Sequence, residues 1–278
     1  MSLPPAVSYH LTRACNTKCR FCFATFRDVS GQSTTKEVFR IIDALAEAGC
    51  EKLTFAGGEP TLHPDLGPML VRARWKGMFT CVVTNGFRLD PLLDSYAEAV
   101  DWVGLSVDSG DEAVQHALGR GQGDHVQRAV ELANRCHDEG IRVKLNTVVT
   151  ALGWQENMAP LVASIRPERW KVFQVLPMKG QNDGKVEELI ITPKQFASFI
   201  QRHARLNPVV EDNDAMQGSY VLVDPMGRLF GNATGEHVYS QPVLKVGMEA
   251  ALQEIGFSHD KFDARGGRYE WGPQEVLS

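Results

Sequence analysis

Between residues 7 and 205 the chain alternates short apolar strands with amphipathic helices about six times. Strand patterns occupy residues 7–12, 52–56, 79–84, 102–108, 142–149 and 170–176. Helical patterns occupy residues 36–48, 64–75, 91–99, 112–118, 125–139, 154–165 and 193–205, with Thr35 able to cap the first. A strand returning through a helix to a parallel neighbour is right-handed, and a series of such units curls a sheet. The expected class is α/β, a partial (β/α)6 TIM-type barrel. Residues 1–206 would form it. Residues 207–278, with a hairpin turn at Asp224-Pro225-Met226-Gly227, would be a short C-terminal extension packed on it.

One parity of the strands is apolar: Tyr9 and Leu11, Leu53 and Phe55, Cys81 and Val83, Val103 and Leu105, Val143 and Leu145, Val172. That face packs on helices. The other carries His10, Lys52, Thr54, Thr84, Ser106, Asp108, Lys144, Asn146, Arg169 and Lys171. Lys52 and Arg169 could simply open their strands in solvent. Lys144 and Lys171 lie within apolar runs, where an unmatched cation is costly. Four basic residues on one inward face predict an anionic, phosphate-bearing ligand.

Cys15-Asn16-Thr17-Lys18-Cys19-Arg20-Phe21-Cys22 sets three thiols in one loop with spacing CxxxCxxC. Thiolate is a soft ligand suited to zinc or an iron–sulfur cluster. Three cysteines leave a cubane with one open iron. A structural zinc completed by His10 is the rival reading. Cys50, Cys81 and Cys136 are scattered, as in proteins of a reducing, cytoplasmic compartment. The net charge of −5 argues against nucleic-acid binding, and no apolar run is long enough for a membrane span.

Cys15, Cys19 and Cys22, with an aromatic before the last and Gly57-Gly58-Glu59-Pro60 after the second strand, resemble the radical S-adenosylmethionine (SAM) enzymes. The resemblance implies a [4Fe-4S] cluster on the three cysteines. It places SAM against Gly57, Gly58, Glu59, Thr84, Asn85, Ser106 and Arg120, and it requires an electron donor, a reductase or a flavodoxin- or ferredoxin-like protein. The strings at residues 8–13, 118–123, 144–146, 169–174, 219–220 and 265–269 resemble the viperin family within that superfamily.

That likeness implies a nucleoside triphosphate substrate, CTP or UTP before GTP. It implies 5′-deoxyadenosyl radical attack on the ribose 4′ hydrogen and a 3′-deoxy-3′,4′-didehydro product that terminates viral RNA chains. Lys52, Lys144, Asn146, Arg169, Lys171, Tyr220 and Arg265 would bind substrate, and the segment 264–269 would close the barrel mouth as a lid. Ala56 stands where the family has serine. The chain departs from vertebrate members in starting almost at its first strand, without their amphipathic membrane helix, and in ending Glu275-Val276-Leu277-Ser278 in place of their terminal tryptophan. Neither membrane attachment nor that tail's partnership is therefore expected; a monomer is expected. A peptide-modifying radical SAM enzyme and a zinc module remain the alternatives.

Overall fold

The computed structural model describes residues 2–272. Its first crossover shows why the units form. Thr34 and Glu37 make reciprocal capping bonds, with Thr34 N donating to Glu37 Oε2 at 2.8 Å, one residue before the predicted cap. The helix Thr35–Glu47 then buries Val38, Ile41, Ile42 and Leu45, spaced three and four apart, against the sheet and the neighbouring helix Leu66–Trp75.

Seven strands run parallel in chain order: β1 (Ala6–His10), β2 (Lys52–Ala56), β3 (Phe79–Thr84), β4 (Trp102–Ser106), β5 (Arg142–Val149), β6 (Arg169–Gln174) and β7 (Val209–Glu211). On the free side of β1 the chain adds β8 (Leu222–Val223), parallel to β1. β9 (Arg228–Gly231) and β10 (Val238–Pro242) follow antiparallel. The order β10-β9-β8-β1-β2-β3-β4-β5-β6-β7 leaves the sheet open, a partial barrel. Residues after 206 thus extend both edges of one sheet. The predicted hairpin forms, with Gly227 N donating to Asp224 O at 3.0 Å and the Asp224 carboxylate accepting from Met226 N and Arg228 N. The edge strands β7 and β10 escape sequence patterning because they are short and half-exposed.

Two of the expected elements need correction. The helix predicted over 154–165 begins at Ala159, because residues 151–155 are turns anchored on Thr150. In β3 the parity is reversed. Cys81 pairs with Thr54 and Trp102, so Cys81 and Val83 lie on the inner face. Thr80, on the outer face, is satisfied by Ala99 O and Asp101. Every residue of Phe79–Thr84 suits either face of a strand, so alternation there carried no signal.

After the helix His259–Ala264, capped by Ser258, the chain passes beneath the N-terminal ends of the strands. Arg169, first in β6, donates to Gly266 O at 2.7 Å, and Trp102, first in β4, donates to Trp271 O at 2.7 Å. The expected lid over the mouth is therefore at the opposite end, forming the floor of the barrel.

Candidate functional site

The cysteine loop leaves the C-terminal end of β1 and is pinned on both sides by backbone. Gly58 N donates to Thr12 O at 2.6 Å and Glu59 N to Ala14 O at 2.8 Å. Lys18 N donates to Gly119 O at 3.0 Å and Arg20 N to Leu118 O at 2.9 Å. A Cβ on Gly58 would sit 2.2 Å from Ala14 O, and one on Gly119 2.4 Å from Lys18 O. The glycines therefore serve first to admit the cysteine loop itself, and not only a ligand as expected from sequence. Asn182 Nδ2 donates to Phe21 O at 3.0 Å and holds the loop's exit.

The three thiols are partly exposed and share one neighbourhood. Thr17 Oγ1 lies 3.2 Å from Cys15 Sγ and 3.6 Å from Cys19 Sγ. Burial pushes the Cys22 thiol up to about 12, with the nearby Cys19 adding to it. Burial also raises Cys19, against the pull of the Arg120 charge. Such thiols become thiolates when a metal takes up the charge. Arg120 is tied to buried Asp108 at 2.5 Å, and its guanidinium lies 5.3 Å from the Phe21 ring centre.

Glu59 is buried beside this loop and is held from four directions. Its Oε1 accepts from Thr61 N (3.1 Å), Thr61 Oγ1 (2.7 Å) and Thr84 Oγ1 (2.7 Å), and its Oε2 from Asn85 N (2.8 Å). Asn85 Nδ2 in turn donates to Asn16 Oδ1 at 2.7 Å, which ties a residue that holds the carboxylate to the cysteine loop. Thr84 and Asn85, expected beside SAM, both bond Glu59. Ser106 ends β4 beside Asn146, and its carbonyl contacts the His125 ring at 2.9 Å.

The other end of the interior is cationic. Lys144 pairs with Gly104 across β4 and β5, and a Cβ on Gly104 would lie 3.0 Å from Lys144 Cε and 3.1 Å from Asn146 Nδ2. Lys52, at 2% exposure, is not a solvent-facing strand start. Its Nζ lies 4.5 Å from the Trp102 ring centre and 4.4 Å from that of Tyr269, and it donates to the Tyr269 hydroxyl. Lys171 pairs with Glu211 Oε1 at 2.5 Å and with the Tyr220 hydroxyl at 2.8 Å. Arg265 stacks 3.6 Å over the Tyr220 ring and approaches Glu211 at 3.6 Å. Arg169 packs 4.0 Å over Tyr269. Burial lowers Lys52 and Lys171 to about 7 each, with neighbouring cations adding to the effect. The structure thus brings together Lys52, Lys144, Asn146, Arg169, Lys171, Tyr220 and Arg265. Sequence reading missed Glu211, Trp102 and Tyr269. A lysine inside an apolar strand demands a counter-ion, and the lone Glu after Val209-Val210 was the available signal.

Residues 9–167 match the family model of the radical SAM superfamily. Over 96% of its length the chain is 42% identical to an S-adenosylmethionine-dependent nucleotide dehydratase of Lacinutrix mariniflava, and it spans 59% of that protein. A protein of the same name from Flammeovirga pacifica is 40% identical over 96% of both chains. The S-adenosylmethionine-dependent nucleotide dehydratase RSAD2 of Oncorhynchus mykiss is 33% identical over 98% of this chain and 82% of its own. The chain belongs to the nucleotide dehydratase family of the radical SAM superfamily.

Its structural neighbours share the superfamily fold. Streptococcus suis SuiB bound to S-adenosylmethionine superposes with a TM-score of 0.63 at 16% identity, covering 82% of this chain and 60% of that one. Coproporphyrinogen III oxidase from Escherichia coli gives 0.57 at 17%, covering 95% and 74%. These likenesses show the fold alone.

The cofactors of this radical SAM family are a [4Fe-4S] cluster and SAM. The donor set fits them: three soft thiols on one loop, beside a carboxylate with its lone pairs oriented. It does not fit the zinc alternative. His10 would be the fourth ligand, yet its ring is enclosed by Phe23, Phe26 and Phe230 at 6.2, 5.3 and 5.5 Å. Among the described residues no three His, Cys, Asp or Glu side chains close on a single ion. No helix among them is long and apolar enough to cross a membrane.

Proposed function

We propose that this nucleotide dehydratase converts a nucleoside triphosphate, CTP or UTP in first preference, to its 3′-deoxy-3′,4′-didehydro analogue. The observation carrying this is the division of one barrel interior into a thiol-and-carboxylate end and a cationic end. A five-residue strand spans about 17 Å, the scale of a nucleotide laid along it with phosphates on the floor and ribose toward the thiols. In this reading Cys15, Cys19 and Cys22 hold the cluster. Glu59, oriented by Thr84 and Asn85, accepts from the SAM ammonium, and Gly57, Gly58, Ser106 and Arg120 complete that site. The chemistry that bound cluster and SAM supply is one-electron cleavage of SAM to a hydrogen-abstracting 5′-deoxyadenosyl radical.

The protein's own work is positional. Lys52, Lys144, Arg169, Lys171 and Arg265, with Tyr220 among them, fix the triphosphate, and Asn146 lies between that cluster and Ser106. Aiming the ribose 4′ C–H at one point substitutes for acid–base catalysis. The remaining steps are loss of the 3′ hydroxyl, which takes one proton from solvent to leave as water, and uptake of one electron from an external flavodoxin- or ferredoxin-like donor, leaving the C3′–C4′ double bond. The product is a chain terminator for viral RNA synthesis, and the segment 265–272 closes the phosphate end behind the substrate.

The test is an anaerobic product screen with 4′-deuterated CTP, UTP, GTP and ATP, SAM and dithionite. Deuterium should appear in 5′-deoxyadenosine with CTP or UTP. Nucleotide-dependent 5′-deoxyadenosine that carries no deuterium, or no 5′-deoxyadenosine with any nucleotide, overturns the reaction.

A further inference from the structure

Five cations crowd the floor of the barrel: Lys52, Lys144, Arg169, Lys171 and Arg265. They act on one another, Lys52 with Lys144, Arg169 and Lys171, and Lys171 with Lys144 and Arg265. Among the described residues one carboxylate pairs with any of them, Glu211, whose side chain is fully buried. Its Oε1 is ion-paired with Lys171 and Arg265, without hydrogen-bond geometry to either, and its Oε2 accepts from the Tyr220 hydroxyl.

A triphosphate carries about four negative charges at neutral pH. Once the bound anion holds Lys52 and Lys171 protonated, five cations against one carboxylate leave a surplus of about the same size. Mg²⁺ bound to a triphosphate would cancel about half of its charge, and proteins hold such Mg²⁺ through one or two carboxylates besides the phosphates. Here the single carboxylate is already an ion-pair partner on the wall of the pocket. Releasing it to a metal would leave Lys171 and Arg265 unpaired in a buried site.

We propose that the floor of the barrel binds its triphosphate as the metal-free polyanion, the five cations taking the place that Mg²⁺ holds in other nucleotide sites and Glu211 serving as their fixed counter-ion. The inference rests on the triphosphate reading above and deepens it. It makes the enzyme compete with Mg²⁺ for its substrate, so that turnover follows the free, uncomplexed nucleotide pool.

The experiment is calorimetric titration of the cluster-loaded, SAM-bound protein with CTP and UTP at fixed ionic strength, with and without MgCl2. A parallel titration uses the exchange-inert tetraammine cobalt(III) complex of CTP, in which the metal cannot leave. With enough Mg²⁺ to complex nine-tenths of the CTP, the apparent Kd should rise about tenfold, and the cobalt complex should bind at least tenfold more weakly than free CTP. An apparent Kd unmoved by Mg²⁺, or a cobalt complex that binds as well as free CTP, overturns the inference while leaving the nucleotide reading intact. Tighter binding of the magnesium complex, lost in Glu211→Gln, would make Glu211 a metal ligand and also overturn it. Absence of binding by metal-free CTP and UTP alike would overturn the nucleotide reading, and this inference with it.

Discussion

Replacing Lys52 by Met should stabilise the empty protein while disabling it for triphosphate. Burial, with no carboxylate paired to it, lowers this lysine from 10.5 to about 7, equivalent to about 4–5 kcal/mol against the charged form. Contact with the faces of Trp102 and Tyr269 returns about 1–2 kcal/mol. The Tyr269 hydroxyl, deprived of its donor, costs about 1 kcal/mol in the variant. A net gain of about 2 kcal/mol remains below pH 7, worth roughly 5 °C in melting temperature for a chain of this size.

The pH dependence follows from the direction of the shift. Folded Lys52 gives up its proton near 7, whereas the unfolded chain keeps it to about 10.5, so the wild-type penalty is complete below pH 7 and fades as pH rises between those values. Anaerobic calorimetric melting of wild type and Lys52→Met at several pH values from 6 to 9.5 should show the gap narrowing upward. Triphosphate affinity should fall at least tenfold in the variant, the loss of one charge-assisted contact. A variant less stable than wild type at pH 6.5, or a gap flat across the range, would mean that Lys52 is structurally satisfied and not held ready for an anion.

Cys15→Ala, Cys19→Ala and Cys22→Ala should each lose the iron–sulfur absorbance after reconstitution, while Cys50→Ala and Cys136→Ala, buried away from the loop, should keep it; iron and sulfide analysis decides. Lys144→Ala and Lys171→Ala should each weaken CTP binding by about 1.5–3 kcal/mol with little effect on cytidine, and equal losses for both ligands would make these lysines structural. Amide exchange over 265–271 should slow when CTP or UTP is added to the SAM-bound protein, because Arg169, Lys52 and Trp102 tie this segment to the phosphate end.

The parallel strand series and most inward cations were legible because two periodicities and a charge cost reinforce one another there. β3 was misread because Thr80, Val82 and Thr84 alternate with residues equally at home inside. The placement of 265–271 was beyond sequence reasoning: Gly266-Gly267 announces the end of a helix, but nothing local tells which end of a barrel the next residues cross. Glu211 shows the same limit from another side. Its carboxylate is meaningful only next to Lys171 and Arg265, which lie 40 and 54 residues away in the chain.

The Gly-Gly-Glu motif offers the sharpest test of what its glycines are for. A methyl group on Gly58 would stand 2.2 Å from Ala14 O and 2.6 Å from Arg13 O, both backbone atoms with no side-chain freedom to yield. Relieving the overlap means moving residues 13–14 outward by about 1 Å, at a cost of about 1–3 kcal/mol. That movement stretches the bond from Glu59 N to Ala14 O and displaces Cys15, the next residue. Glu59 itself stays anchored by Thr61, Thr84 and Asn85, so the damage should fall on the thiol loop. Gly58→Ala is therefore expected to lower the iron bound after anaerobic reconstitution more than it lowers the melting temperature of the cluster-free protein. Gly153→Ala, whose Cβ would meet nothing closer than 3.7 Å, is the control and should match wild type in both. Full iron incorporation in Gly58→Ala would show that the loop has slack, and that the glycines are kept for an approaching ligand instead of for the chain that carries the cysteines.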